Sequence, residues 1–569
     1  MTHAAIPLLL LALLAASLPF EVREGVRLRG GLMLTNVEVA LALYLVVSCV
    51  LRAGRGLRRP SLEVVAVLVW LAVLLGSALF ASAAPSSSLK FAARLWLGPL
   101  VFLAASRDVE VARGRAVVTG ALLGGALVSA LFGLVESYRI LDLSSILVPF
   151  RPYITTDQGV LRLNGSFQHA NLAAGSLELM LPIALASAVL VILKPRRPAV
   201  IAALRFGSYA LLCWALILTI SRAGIASGAL GVCVATLALF ARLPRSAGLR
   251  VAALSATGFV LAALLSSGLV SAVRARLFGL PANLHGVSYA VEPSTVVRKG
   301  APVQLKVGLR NTGFLTWRHR PPNPFRLAYH WVDSHGATIV FEGARTSLPR
   351  DVPSGDDVVV DATIWSPAEP GDYVLLWDLV HERVTWFSQR ANPAATTFVR
   401  VIEDAARSAA PPGAQPSWTR SVPTEMEPWV ENELVPRGKL WSIALSHAAA
   451  HPFLGIGPGR FGATYPAGLA PGRYDAGLSA HNLYLELAST TGALGLGAFL
   501  MLIALIGWRL ATALTRRVEA TTPEVVWAAA GLGVLTAFLS HGFFDCFLAS
   551  YPVSLGLWIA LAVSRPSGG

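Results

Sequence analysis

The sequence predicts an all-α polytopic membrane protein of about twelve transmembrane helices, with a β-sandwich inserted before the last three of them. Three observations predict it: an apolar composition, apolar runs of spanning length, and a switch to strand-like periodicity between 287 and 403. Of 569 residues, 54% are hydrophobic and 14% charged, with a mean hydropathy of +0.61. That balance excludes an ordinary soluble protein of this length. A helix needs about 20 apolar residues to cross a bilayer. Candidate runs lie at roughly 3–20, 32–51, 62–82, 90–106, 115–137, 170–193, 203–220, 223–241, 249–272, 485–508, 522–540 and 546–564. The first lacks the basic start and small-residue cleavage site of a signal peptide, so it counts as a helix.

The formal charge of +15 would point to nucleic acid in a soluble protein. Here the basic residues cluster in every second loop between apolar runs. Arg52, Arg55, Arg58 and Arg59 share one such loop; Lys194, Arg196, Arg197 and Arg205 share another; Arg509, Arg516 and Arg517 share a third. The positive-inside rule makes these loops cytoplasmic, both termini with them, and excludes a nucleic-acid partner. The loop with Arg23, Arg27 and Arg29 runs against the pattern, softened by Glu21 and Glu24. Cys49, Cys213, Cys233 and Cys546 all lie in or beside apolar runs, so no disulfide framework is expected.

The expected division is 1–279 for nine helices, 280–403 for the extracytoplasmic sandwich, 404–436 for a linker, and 437–569 for a loop and three more helices. Within the sandwich, about seven short runs such as Val303 to Leu309 and Val358 to Trp365 are separated by Gly, Pro, Asn and Asp. Asn311-Thr312-Gly313-Phe314-Leu315-Thr316-Trp317 resembles the turn-plus-tryptophan signature of Ig-like modules. Trp331, Trp365, Trp377 and Trp386 offer a sugar-stacking platform, although alternating tryptophans usually build a core. The linker is rich in Ala, Pro, Ser and Glu. After it, Leu440 to Leu445 reads as an amphipathic helix near the interface.

Chemistry concentrates at the outer ends of these helices. Asn482 is a good N-cap, so a helix enters the membrane there and turns its free N–H groups outward as an anion site. His481 precedes the cap and suits proton transfer near neutral pH. Arg162 and Arg222 each open a helix, where a guanidinium either snorkels or grips phosphate. Glu178 lies about two turns inside the sixth helix, where an ionisable group defaults to function. Glu486 follows Asn482 by one turn. His541 and Asp545 close the last hairpin on the outer side, and Arg460 and Arg473 lie in the loop before His481. His447 and His451 have the spacing of a helical metal pair, but no third ligand accompanies them, so no metal site is expected.

Four motifs carry a resemblance. His481-Asn482 is followed after nine residues by Gly492-Ala493-Leu494-Gly495, and preceded by His451-Pro452-Phe453-Leu454-Gly455-Ile456-Gly457-Pro458-Gly459-Arg460-Phe461. Arg162-Leu163-Asn164-Gly165-Ser166-Phe167-Gln168-His169-Ala170-Asn171 and Ser221-Arg222-Ala223-Gly224 open two earlier helices. This pattern resembles the O-antigen ligase and polymerase superfamily over roughly 60–280 and 437–565, leaving the Ig-like segment as an insertion. Ala170 stands where members typically have Pro.

The resemblance implies a GT-C-like fold in the bacterial inner membrane, with the site and sandwich periplasmic. It implies a metal-independent inverting glycosyltransferase, needing no cofactor, that moves a glycan from undecaprenyl diphosphate to an acceptor hydroxyl. The acceptor is lipid A-core, as in lipopolysaccharide synthesis, or a growing glycan or a protein, as for a polymerase or O-oligosaccharyltransferase. His481 is then the catalytic residue, and Arg162, Arg222 and Arg460 hold the donor diphosphate. Glu178, Asn482, Glu486, His541 and Asp545 are secondary candidates. A transporter of the same lipid-linked glycans is the competing class; it would place polar groups near the midplane rather than at one edge.

Overall fold

A computed structural model describes residues 5–27, 33–52, 61–111, 113–138, 140–151, 155–157, 160–193, 198–266, 284–320, 323–382, 384–390, 392–403, 435–469, 478–515 and 522–566. The chain divides into two compact units: Met1–Thr155, Arg162–Val273 and Asn432–Gly569 form one, Thr156–Leu161 and Arg274–Glu431 the other.

The first unit is helical. Each of the twelve apolar runs contains a helix, and among the described residues nine are long and apolar enough to cross a membrane. Ala5–Phe20, Asn36–Val50 and Tyr551–Ser564 are apolar but shorter. Local chemistry sets several starts: Thr35 and Glu38 form a reciprocal capping box, while Ser61 and Ser221 accept from backbone N–H groups of their own first turns.

Ala170–Ile192 is the central helix, buried along most of its length. It packs against Ala199–Leu218, Arg222–Phe240, Pro523–His541 and Tyr551–Ser564. Small residues let these backbones approach: a Cβ on Gly231 would stand 2.5 Å from the Gly533 carbonyl oxygen. The last span departs from the sequence reading. It begins at Tyr551 rather than 546, because His541 ends the preceding helix and the chain turns at once, with the Phe544 and Asp545 N–H groups donating to the His541 carbonyl.

The second unit is β-rich. Its larger sheet has seven strands, with Phe325–Asp333, Gly371–His381 and Ala395–Ile402 at its centre. Asp357–Trp365, Pro302–Asn311 and Val287–Ala290 form a three-stranded sheet. Asp357–Trp365 alternates strictly, its Val358, Val360, Ala362 and Ile364 inward. These meet Leu327, Trp331, Leu375 and Trp377 of the larger sheet in one apolar core. Trp331 and Trp377 are therefore core residues, and Trp386 is buried too; only Trp365 of the expected platform is exposed. The linker expected at 404–436 lies almost wholly outside the described residues.

Candidate functional site

The site assembles where three helices begin and one ends. Asn482 opens Leu483–Thr515 as expected: its Oδ1 accepts from the N–H groups of Tyr484 and Leu485, both at 3.0 Å. Its Nδ2 donates to the Phe543 carbonyl at 3.1 Å, and the Leu483 N–H donates to the Gly542 carbonyl at 2.7 Å. These bonds fasten the helix start to the turn that carries Asp545. Glu486, buried, accepts from the Ala480 N–H at 2.8 Å. Between Ala480 and the cap, His481 is held at φ 47°, a left-handed conformation that disfavours any residue but glycine. Such strain persists only where the surroundings over-determine it.

The nine-residue spacing to Gly492 has a structural cause. The helix breaks at Gly492, whose φ is 68° and where a Cβ would fall 2.2 Å from the Phe453 backbone. The Ala493 N–H donates to Pro452, while the Ile456 and Gly457 N–H groups donate to the carbonyls of Ser489 and Thr490. The His451–Phe461 motif therefore braces the far end of the short helical segment that His481 precedes. Arg460 stands just before Phe461, which packs with Ala480 in a small apolar cluster. Arg473 lies outside the described residues.

From His481 a chain of polar contacts runs through the site. The imidazole Nδ1 lies 3.2 Å from Asp545 Oδ1. The Asn171 amide donates to Asp545 Oδ2 at 3.4 Å, and its Oδ1 accepts from Arg162 Nη2 at 2.6 Å. Arg162 Nε donates to the Thr219 carbonyl at 2.8 Å, and the Leu163 N–H donates to the Leu218 carbonyl at 2.8 Å. Arg162 is thereby pinned beside the turn that leads into Arg222–Phe240, where Ile220 sits at φ 52°. A β-branched residue there is a genuine outlier. Arg222 is exposed in the first turn of that helix. Beneath Asp545, His541 Nδ1 lies 2.8 Å from Glu178 Oε2, and both side chains are buried.

The electrostatics follow from this packing. Burial raises the Asp545 carboxyl, but the hydrogen bond and charge of His481, with His541 and the Cys546 N–H, outweigh it and hold the group below the usual aspartate value. His169, the N-cap of Ala170–Ile192, keeps an exposed edge, and its pKa is lowered by partial desolvation among its neighbours and then by Arg162, against the opposing pull of Asp545. An ionised Asp545 only accepts, so the His481 ring donates to it from Nδ1.

The structure thus brings Arg162, His481, Asn482, His541 and Asp545 together, with Glu178 beneath them, Glu486 beside the cap and Arg222 on the neighbouring turn. No contact joins Arg460 to His481 among the described residues. Reading the sequence did not single out Asn171, which links Arg162 to Asp545, or the strained Ile220. The adjacent N-cap at His169 was the available signal for the first; the second carries none.

Residues 429–500 match the family model described as O-antigen ligase. A search of curated proteins finds no match. Among solved structures, an alkylpurine DNA glycosylase from Pseudomonas fluorescens, bound to DNA containing an abasic site analog, aligns at 12% identity over 60% of this chain and 100% of that one. Its TM-score of 0.15 carries no argument. The ligase-family match falls on the segment that bears His481, Asn482 and the Gly492 break, and with nine helices among the described residues fit to span a bilayer the chain is a multi-pass membrane protein that carries, at residues 429–500, a segment similar to O-antigen ligases.

Proposed function

We propose that the chain transfers a glycan from an undecaprenyl-diphosphate carrier to an acceptor hydroxyl on the periplasmic face of the bacterial inner membrane, with inversion and without a metal. The observation that carries this reading is the contact chain from His481 through Asp545 and Asn171 to Arg162. It supplies a base and a fixed cation at one edge of the helices.

His481 Nε2 takes the proton of the acceptor hydroxyl as its oxygen attacks the anomeric carbon, and Asp545 stabilises the imidazolium that results. The bond to the diphosphate breaks on the opposite face, which inverts the centre. The leaving diphosphate gains negative charge, and Arg222, exposed beside the pinned Arg162, neutralises it. Arg460 is the weaker third candidate for the same role. The 280–403 segment is read as an Ig-like β-sandwich inserted between the two halves of the transferase. A ligase acting on lipid A-core, a glycan polymerase and a protein O-oligosaccharyltransferase share every step but the acceptor.

The test is incubation of purified protein, in vesicles, with a defined undecaprenyl-diphosphate glycan and each acceptor class, followed by product mass. Transfer is expected from the wild type. His481→Ala should lower it by about 10²–10⁴-fold, the contribution of a positioned acid-base group, and Arg222→Ala by about 10²-fold or more. Full activity in both variants would dismiss this site. Facilitated movement of intact donor across the bilayer, with no product, would favour the transporter.

A further inference from the structure

Trp365 ends the Asp357–Trp365 strand with its indole 56% exposed. Both of its backbone polar groups are held by buried aromatic residues of the larger sheet. The Trp365 N–H donates to the Tyr329 hydroxyl at 3.0 Å, and the Trp331 indole N–H donates to the Trp365 carbonyl at 2.9 Å. The side chain is therefore presented to solvent on a fixed backbone rather than on a loop. It borders an open groove of about 690 Å³. Tyr373 contributes a second, half-buried ring, fixed by donating its hydroxyl to the Glu369 carbonyl at 3.0 Å. Around the rings stand three carboxylates, Asp333, Glu342 and Glu369, and the groove wall includes no Lys, Arg or His.

We propose that this groove binds an oligosaccharide of uncharged sugars. An exposed ring carried on a fixed strand backbone stacks on the apolar face of a pyranose, and carboxylates accept hydrogen bonds from sugar hydroxyls. The charge complementarity decides the class. Arg345 answers Glu342 at 3.2 Å, which leaves Asp333 and Glu369 to set the sign of the wall; two carboxylates without a lining cation disfavour a diphosphate or a uronic-acid glycan, so this is not a second donor-phosphate site. Preorganisation by the Tyr329 and Trp331 hydrogen bonds removes the ordering cost that an exposed tryptophan on a mobile loop would carry. The choice of glycan over another apolar ligand rests on the transferase reading, but the binding itself does not involve His481.

Binding is measured without donor lipid, by ligand-observed saturation-transfer NMR on the full-length protein in nanodiscs. The probes are an N-acetylglucosamine tetrasaccharide, a neutral hexose tetrasaccharide, a hexuronate tetrasaccharide and an extended apolar peptide. At least one of the first two should bind, and the hexuronate should bind more weakly than either. Trp365→Ala should weaken the uncharged sugar by about three- to ten-fold, the scale of one ring stack; Glu369→Gln should narrow the gap between uncharged and hexuronate probes. No uncharged sugar bound by the wild type, equal affinity in Trp365→Ala, or a groove occupied by peptide or hexuronate instead would each overturn the proposal. Because no transfer is read out, a negative result here leaves the His481 reading standing, and an inactive His481→Ala leaves this one standing.

Discussion

The Leu483–Thr515 helix has charge at both ends, and the two ends are built differently. Toward its C-terminus, Arg509 lies 3.0 Å from Glu63, which also pairs with Arg565 at 3.2 Å, while Arg565 in turn accepts on its carbonyl from Arg115 at 2.7 Å. Nearby in the sequence order of helix ends, Asp108 is paired with Arg52 and accepts from the Tyr44 hydroxyl at 2.7 Å. Each acid there is answered by a cation. At the N-terminal end the accounting is open. Asp545 takes the His481 Nδ1, no partner meets Nε2 among the described residues, and Arg222 is exposed. Backbone strain gathers at the same end, at His481 and Ile220. The difference teaches that pairing, more than the presence of charge in a membrane span, separates a brace from a site.

That contrast can be broken in graded ways. The largest effect on stability should come from the closed pair beneath the open site. Glu178→Ala would leave His541 buried without its partner, costing about 3–5 kcal/mol, measured by unfolding in detergent. The double variant Glu178→Leu, His541→Phe should recover most of that, since an apolar pair of similar size avoids the desolvation cost. A double variant as unstable as the single one would mean the pair does more than neutralise itself.

At the other end, Arg509→Met should cost about 1–3 kcal/mol, because Glu63 keeps Arg565. Transfer per folded molecule should be unchanged. A loss of transfer comparable to that of His481→Ala would erase the distinction between the two ends.

The smallest effect is on pH dependence. His169 titrates below the ordinary histidine value when folded, through partial desolvation and then Arg162. Above the ordinary value both folded and unfolded chains are neutral there. As pH falls through it, the unfolded chain takes a proton the folded one refuses, so stability declines until the lower folded value is passed and then levels. Thermal melts between about pH 8 and about pH 5 should show this decline, and His169→Asn should flatten it. An identical slope in the variant would remove His169 from the field of the site.

Much of the helical unit was legible because its signals are local. Apolar length marks a helix of spanning size, and caps such as Ser221 and Asn482 mark where one starts. Part of the site was legible as well: Glu178 stood out as an ionisable group inside a span, and Arg162, His481 and Asp545 through motifs that resemble the O-antigen ligase superfamily. Their connections were not. Asn171 is an unremarkable polar residue in a first turn until Arg162 and Asp545 close on it from two other segments. The same holds for the tryptophans, where alternation gave Trp331 and Trp365 equal standing although one became core and the other stayed exposed.

The sequence by itself determined where the chain leaves water, which helices begin with capped ends, and which ionisable groups lie along them, because those depend on neighbours within a turn or a run. Only the tertiary structure decided that Glu63 would meet two arginines and that His481 would meet Asp545. That outcome depends on which helix ends meet, across separations of 64 residues for His481 and Asp545 and 374 for Asn171 and Asp545, and no local pattern encodes a pairing at that distance.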